Sequence, residues 1–158
     1  MKRAATVAVA FAALAVVTGQ GNPCPSGYEN FLLDSATPVC IRFNTEETGS
    51  WAAMRALCRA EGADLAELRG DLHLQVYQYI MQHLELADKG FWMGGTDSGS
   101  EGTWTWVSDG TVLVLGPPHW YPGQPDGGTK ANYACIYPPD YYYHSCNNNL
   151  LIYALCQI

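Results

Sequence analysis

The chain has 158 residues, enough for one domain of ordinary size and too few for two. Acidic residues number 15 against 8 basic ones, a net charge of −7 that offers no electrostatic footprint for nucleic acid. Charged residues are 15% of the chain and aromatic residues 12%, a balance that excludes intrinsic disorder.

Lys2 and Arg3 precede an apolar run from Ala4 to Val17, and Val17 and Gly19 supply the small-residue pattern of a cleavage site. Residues 1–19 therefore read as a secretory signal peptide and 20–158 as the mature domain. The apolar run has 14 residues, short of the roughly 20 that span a bilayer. The expected product is secreted and extracellular, with no membrane insertion. Export sets the reading of the six cysteines, Cys24, Cys40, Cys58, Cys135, Cys146 and Cys156. In an oxidising compartment they imply three disulfides, and spacing alone leaves the connectivity open. No Cys-x-x-Cys pair occurs, so zinc is a poor reading.

An irregular, turn-rich segment is expected from Cys24 to Cys40. Ser50 reads as the N-cap of a helix that begins at Trp51, buries Trp51, Met54, Leu57 and Cys58, and stops at Gly62. Asp71 reads as the cap of a second helix, with Leu72, Val76, Ile80 and Leu84 as its buried stripe and Gly90 as the end of the region. The periodicity then changes. Phe91–Gly94 is a short apolar run of the kind that forms a buried strand. Thr103–Val107 alternates as a half-buried strand does, Ser108-Asp109-Gly110 signals a turn, and 111–115 reads as a further strand. Residues 116–133 form a long loop rich in Pro and Gly, a type that is usually functional inside a compact domain. Ala134–Tyr137 and Leu150–Cys156 read as closing strands. Helices first and short strands second give an α+β class.

In this order the fragments resemble the C-type lectin-like domain over nearly all of Cys24 to Cys156. They are Cys24-Pro25-x-Gly27-Tyr28, the Trp51 helix carrying Cys58, Phe91-Trp92-Met93-Gly94-Gly95, and Glu101-Gly102-Thr103-Trp104-Thr105-Trp106 with Asp109-Gly110. Trp120-Tyr121-Pro122-Gly123-Gln124-Pro125-Asp126, Cys135, Cys146 and Leu155-Cys156-Gln157 complete the set. Size and signal peptide resemble the secreted single-domain lectins of invertebrate innate immunity. The resemblance implies an α+β fold with two helices, short antiparallel sheets, a long binding loop and three disulfides. It implies the pairs Cys24–Cys40, Cys58–Cys156 and Cys135–Cys146.

The resemblance also implies chemistry for Gln124-Pro125-Asp126. In the family, calcium bridges protein and sugar at this position, and a cis peptide bond precedes the proline. Calcium takes about 6–8 oxygen ligands, which an amide carbonyl, a carboxylate and paired sugar hydroxyls can share. The Gln-Pro-Asp order goes with galactose-type sugars in the family. The expected carbohydrate-binding residues are Gln124, Asp126, Asn132 and Tyr133. The expected metal ligands are Gln124, Asp126, Asn132 and Asp140, around a weak or incomplete calcium site. The site is incomplete because Tyr141, Tyr142 and Tyr143 occupy the positions of the family's Trp-Asn-Asp ligand segment, and Tyr133 occupies that of its Glu. A phenol is a poor calcium ligand. At least one ring of the triplet is expected to be buried. Asp97 and Glu101 match two ligands of an auxiliary calcium position and read as structural.

The function implied is calcium-dependent recognition of glycans on microbial or viral surfaces, with clustering or homo-oligomerisation supplying avidity. The competing reading is a calcium-independent domain that binds a protein or other non-sugar ligand. His119 and His144 lie near the loop without a nucleophile, base and orienting group around them, so no catalysis is expected.

Overall fold

The computed structural model describes residues 22–158, so the signal-peptide reading lies outside the described residues. β1 (Glu29–Leu33) and β2 (Thr37–Gly49) form an antiparallel hairpin where an irregular segment was expected. Its turn holds Asp34 at φ 50° and Ser35 at φ 58°, and Ala36 N–H donates to Leu33 C=O at 3.1 Å. Neither residue is the glycine that ordinarily marks a left-handed turn, which hides the hairpin from sequence reading. Phe31, Val39 and Ile41 face inward from the two strands.

Helix α1 (Trp51–Ala60) begins where expected, and Ser50 Oγ accepts from Ala53 N–H at 3.3 Å. It buries Trp51, Met54 and Cys58 against the sheet. Two indoles fasten it there. Trp51 Nε1 donates to Met93 C=O at 2.8 Å, and Trp92 Nε1 donates to Gly49 C=O at 2.9 Å. Helix α2 (Leu72–Gln82) buries Leu72, Val76 and Ile80 completely. The expected stripe ends there, because Leu84 lies past the last turn and is 81% exposed. Asp71 does not cap α2. Its backbone is itself helical (φ −74°, ψ −12°), and its carboxylate accepts from Ser35 Oγ at 3.3 Å.

The remaining strands are β3 (Asp64–Leu65), β4 (Phe91–Thr96), β5 (Thr105–Trp106), β6 (Tyr133–Ile136), β7 (His144–Cys146) and β8 (Ile152–Gln157). They form one sheet in the order β1-β2-β8-β4-β6-β7, with β3 on β8 and β5 on β4. β4 and β8 run parallel and the other pairs antiparallel. The class is therefore α+β, as expected. Residues 111–115 do not form a strand. Thr105 and Val112 make a single bridge, Leu113 turns inward, and Val114 is 71% exposed.

The disulfides are Cys24–Cys40, Cys58–Cys156 and Cys135–Cys146, the pairing that the family resemblance implies. Cys58–Cys156 fixes α1 to β8. Cys135–Cys146 joins β6 to β7 beneath the long loop. A larger apolar cluster gathers α2, Phe91, Met93, Trp104, Trp106 and Trp120. A smaller one packs α1 over Trp92 and Leu65.

Candidate functional site

The long loop is held to the chain leading into β7 by backbone bonds. Tyr143 N–H donates to His119 C=O at 2.8 Å, and Tyr121 N–H donates to Tyr143 C=O at 3.1 Å. Gln124 N–H donates to Tyr121 C=O at 2.9 Å and closes a turn. The Gln124–Pro125 peptide is cis.

The Gln124 side chain works inside the loop. Its Oε1 accepts from Ser145 N–H at 2.8 Å and from Ser145 Oγ at 3.0 Å. Ser145 Oγ in turn accepts from Asp126 N–H at 3.1 Å and Gly127 N–H at 3.3 Å. This arrangement satisfies five polar groups and sets the turn around Asp126. The Asp126 carboxylate itself is solvent-exposed.

Beside it lies a cluster of aromatic and acidic groups. His144 is 5% exposed and sits between Tyr121, at 5.1 Å and 23°, and Tyr137, at 4.4 Å and 33°. Its Nδ1 meets the Tyr137 hydroxyl at 3.2 Å. Its Nε2 lies 3.6 Å from Asp140 Oδ1 and has no hydrogen-bond partner among the described residues. Asp140 Oδ1 accepts from Tyr142 N–H at 3.1 Å, which aims Tyr142. Burial lowers the His144 pKa, and the carboxylates of Asp140 and Asp126 oppose the shift. Burial raises the Tyr137 pKa, and the same two carboxylates add to the rise. The exposed rings here are Tyr121, Tyr137 and Tyr142.

The tyrosine triplet divides by alternation. Tyr141 and Tyr143 enter the core, where Tyr141 Oη donates to Leu86 C=O at 3.1 Å and Tyr143 Oη donates to Leu68 C=O. Only Tyr142 faces outward. Tyr133 stacks on Trp51 at 4.4 Å and 13° and meets Trp92 edge-on, so its ring packs under α1. Asn132 joins another network. Its N–H donates to Asn148 Oδ1 at 2.8 Å, and its C=O accepts from Thr96 Oγ1 at 2.8 Å and Asp97 N–H at 3.1 Å. Asp97 is 4% exposed, and its Oδ2 accepts from Gly102 N–H at 2.9 Å. The structure thus gathers Gln124, Asp126 and Asp140 around Ser145 and His144, and places Asn132 and Tyr133 in separate packing environments.

These donors do not make a calcium shell. Calcium needs about 6–8 oxygens. Around the loop, Gln124 Oε1 is taken by Ser145, and Asp126 and Asp140 remain as carboxylates. At the auxiliary position, Asp97 Oδ1, and beside it Asn132 Oδ1, are buried and lack hydrogen-bond partners among the described residues. With Glu101 they still fall well short of that number. Among the described residues, no three His, Cys, Asp or Glu side chains converge to hold a metal ion.

Sequence reading missed Ser145, Tyr137 and His73. His73 stands next to Leu72 on the inner face of α2, and that adjacency was the available signal. It is 8% exposed, and its Nε2 lies 2.8 Å from Tyr141 C=O while its Nδ1 lies 3.1 Å from His119 Nδ1. Burial pulls its pKa down to about 4 from 6.5. The unfolded chain therefore binds a proton near pH 6.5 that the folded chain refuses until about pH 4. Stability is full above the upper value and is lost as pH falls through this window, by roughly 3 kcal/mol for His73. His119 and His144, also lowered by burial, add in the same direction. Urea midpoints measured across the window should fall with pH. His73→Gln, which keeps a donor for Tyr141 and cannot charge, should flatten the profile. Equal slopes for wild type and variant would contradict this assignment.

The Lectin C-type domain family model matches residues 47–158. A C-type mannose receptor 2 from Homo sapiens is 29% identical over 117 residues, 74% of this chain. The chain spans only 7% of that receptor's length. The galactose-specific lectin nattectin from Thalassophryne nattereri is 30% identical over 110 residues, covering 70% of this chain and 64% of the relative. Among solved structures, the carbohydrate-recognition domain of the mouse scavenger receptor C-type lectin superposes with a TM-score of 0.68 at 21% identity. That match covers 85% of this chain and 95% of the other.

Proposed function

Since the chain belongs to the C-type lectin domain family, we propose that it is a secreted glycan-binding lectin that reads sugar without a calcium bridge. The sugar face consists of the Asp126 and Asp140 carboxylates and the rings of Tyr121, Tyr137 and Tyr142. The observation that carries this reading is the double occupation of Gln124 Oε1 by Ser145. It removes one expected calcium ligand and makes it a fastener of the loop. A sugar ring has an apolar face of C–H groups that stacks on an aromatic ring. Its hydroxyls donate to carboxylate oxygens. Both partners are present on this face, and neither needs a metal.

With Gln124 Oε1 bound to Ser145, the Gln-Pro-Asp order no longer offers an amide oxygen and an acid together to a bridging cation. The galactose preference that this order suggests goes with a calcium bridge and is not part of this reading. The biological targets in this reading are microbial or viral surface glycans. A single open site binds weakly, so useful attachment comes from clustering of the domain on a multivalent surface. Three disulfides fit an extracellular setting, and no helix among the described residues is long and apolar enough to cross a membrane.

A glycan array probed in calcium and in chelator tests the proposal. The expected result is the same set of bound glycans in both buffers, lost in Tyr121→Ala. Binding that disappears with chelator would overturn the metal-free part. Binding to no glycan at all would overturn the lectin reading and favour a protein or other non-sugar ligand.

A further inference from the structure

A cavity of about 800 Å³ opens between α2 and the segments around residues 118–119 and 139–142. Its volume lies within the range of small-molecule sites, roughly 300–1,000 Å³. The walls are apolar and aromatic, from Leu74, Tyr77, Pro118 and Tyr142. Leu74 is 56% exposed and Tyr142 39%, so apolar surface is left open on both sides of the cavity.

The charged and imidazole groups here accept, and the Tyr77 and Tyr142 hydroxyls can donate or accept. Asp71 and Asp140 bring carboxylates. His119 brings a lone pair, as the hydrogen-bond network requires. A backbone carbonyl only accepts, so His73 Nε2, at 2.8 Å from Tyr141 C=O, carries the proton. Burial keeps His73 neutral, so its Nδ1 is bare. His119 Nδ1, 3.1 Å away, must then be the donor, and in the neutral imidazole that burial favours His119 Nε2 carries no proton. Among the described residues no Lys or Arg lines the cavity, and the chain as a whole is acidic.

Apolar walls, two carboxylates, an imidazole lone pair and aromatic faces suit one kind of ligand. We infer that this cavity binds a small organic cation with an apolar body, an aryl- or alkyl-ammonium compound. The ammonium group donates to the carboxylates and to His119 Nε2 and lies against the Tyr77 or Tyr142 face, while the apolar body covers Leu74 and Pro118. Anions are disfavoured because two carboxylates meet them with no cationic side chain in the lining. This site goes beyond the sugar face. The two share Asp140 and Tyr142 as a common wall and differ in every other residue named.

Titration of the folded mature protein with tryptamine, followed by amide chemical shifts, tests the inference. Indole-3-propionate serves as the acidic counterpart of the same body. The expected result is saturable binding of the amine, with shifts at Leu74, His119 and Tyr142, and at least about tenfold weaker binding of the acid. Leu74→Trp projects bulk into the cavity from an exposed helix position and should abolish amine binding while the thermal midpoint and any glycan binding stay unchanged. No saturable amine binding, equal affinity for acid and amine, or retained binding in Leu74→Trp would each overturn it. Glycan binding is read separately, so failure of the sugar proposal and failure of this one are distinguishable.

Discussion

Replacing Cys58 and Cys156 together by alanine is expected to destabilise the domain by about 5 kcal/mol. The two residues are 98 apart in sequence, and their bridge removes far more chain entropy from the unfolded state than the others do. Cys24–Cys40 spans 16 residues and Cys135–Cys146 spans 11, for which the same loop-closure relation gives about 3 kcal/mol each. Position reinforces the difference. Both Cys58 and Cys156 are fully buried, and β8 lies at the centre of the sheet beside β2 and β4. A domain of this size has a total stability of about 5–15 kcal/mol, so the double variant should be largely unfolded at the lower end of that range. Urea unfolding of the three double-alanine variants measures the order. An equal loss from the Cys24 and Cys40 pair would contradict it.

The second large effect is expected at Tyr143. Its side chain is fully buried, meets the edges of Trp106 at 6.3 Å and Trp120 at 5.9 Å, and stacks on His119 at 5.4 Å. Its hydroxyl donates to Leu68 C=O. Burial raises its pKa, so the ring stays neutral. Tyr143→Ala should cost about 4 kcal/mol through the cavity it leaves and the carbonyl it strands. Tyr143→Phe should cost about 1–2 kcal/mol, the part owed to the hydroxyl. Tyr143→Asp restores the acid that the family carries at this position, and it buries a carboxylate among tryptophans. It should be at least as damaging as alanine and should bring no calcium-dependent rise in melting temperature. An aspartate variant as stable as wild type, or one stabilised by calcium, would contradict the placement of this residue in the core.

Tyr143 also shows what the sequence could and could not reveal. Local periodicity located α1, and the family resemblance carried by ordered fragments of Trp, Gly and Cys implied the fold and the disulfide pairing. Burial within the tyrosine triplet was also legible, since large rings are favourable to bury. The N-terminal hairpin was hidden because its turn uses Asp34 and Ser35 where glycine is the usual mark. The 111–115 segment had the composition of a strand, yet forms only one bridge, between Thr105 and Val112. Asp71 looked like a cap until Ser35, distant in sequence, supplied its carboxylate with a partner.

The site was legible as a position and not as an arrangement. Gln124-Pro125-Asp126 lies in the long loop, with a cis peptide before the proline. What Gln124 does depends on Ser145, 21 residues further along, and no local pattern shows that bond. His73 and His119 meet across 46 residues of sequence, and His144 finds Tyr137 across a hairpin. Side-chain hydrogen bonds between distant segments decide whether an amide binds a metal or holds a loop.

Calorimetry tests most directly whether the loop recognises sugar without calcium. A glycan bound on the array is titrated into the mature domain in excess calcium and again in chelator, with Asp126→Asn alongside. The same Kd is expected in both buffers and a weaker one in the variant, because a carboxylate accepts hydroxyl hydrogen bonds better than an amide. A Kd that weakens by more than about tenfold in chelator would contradict it.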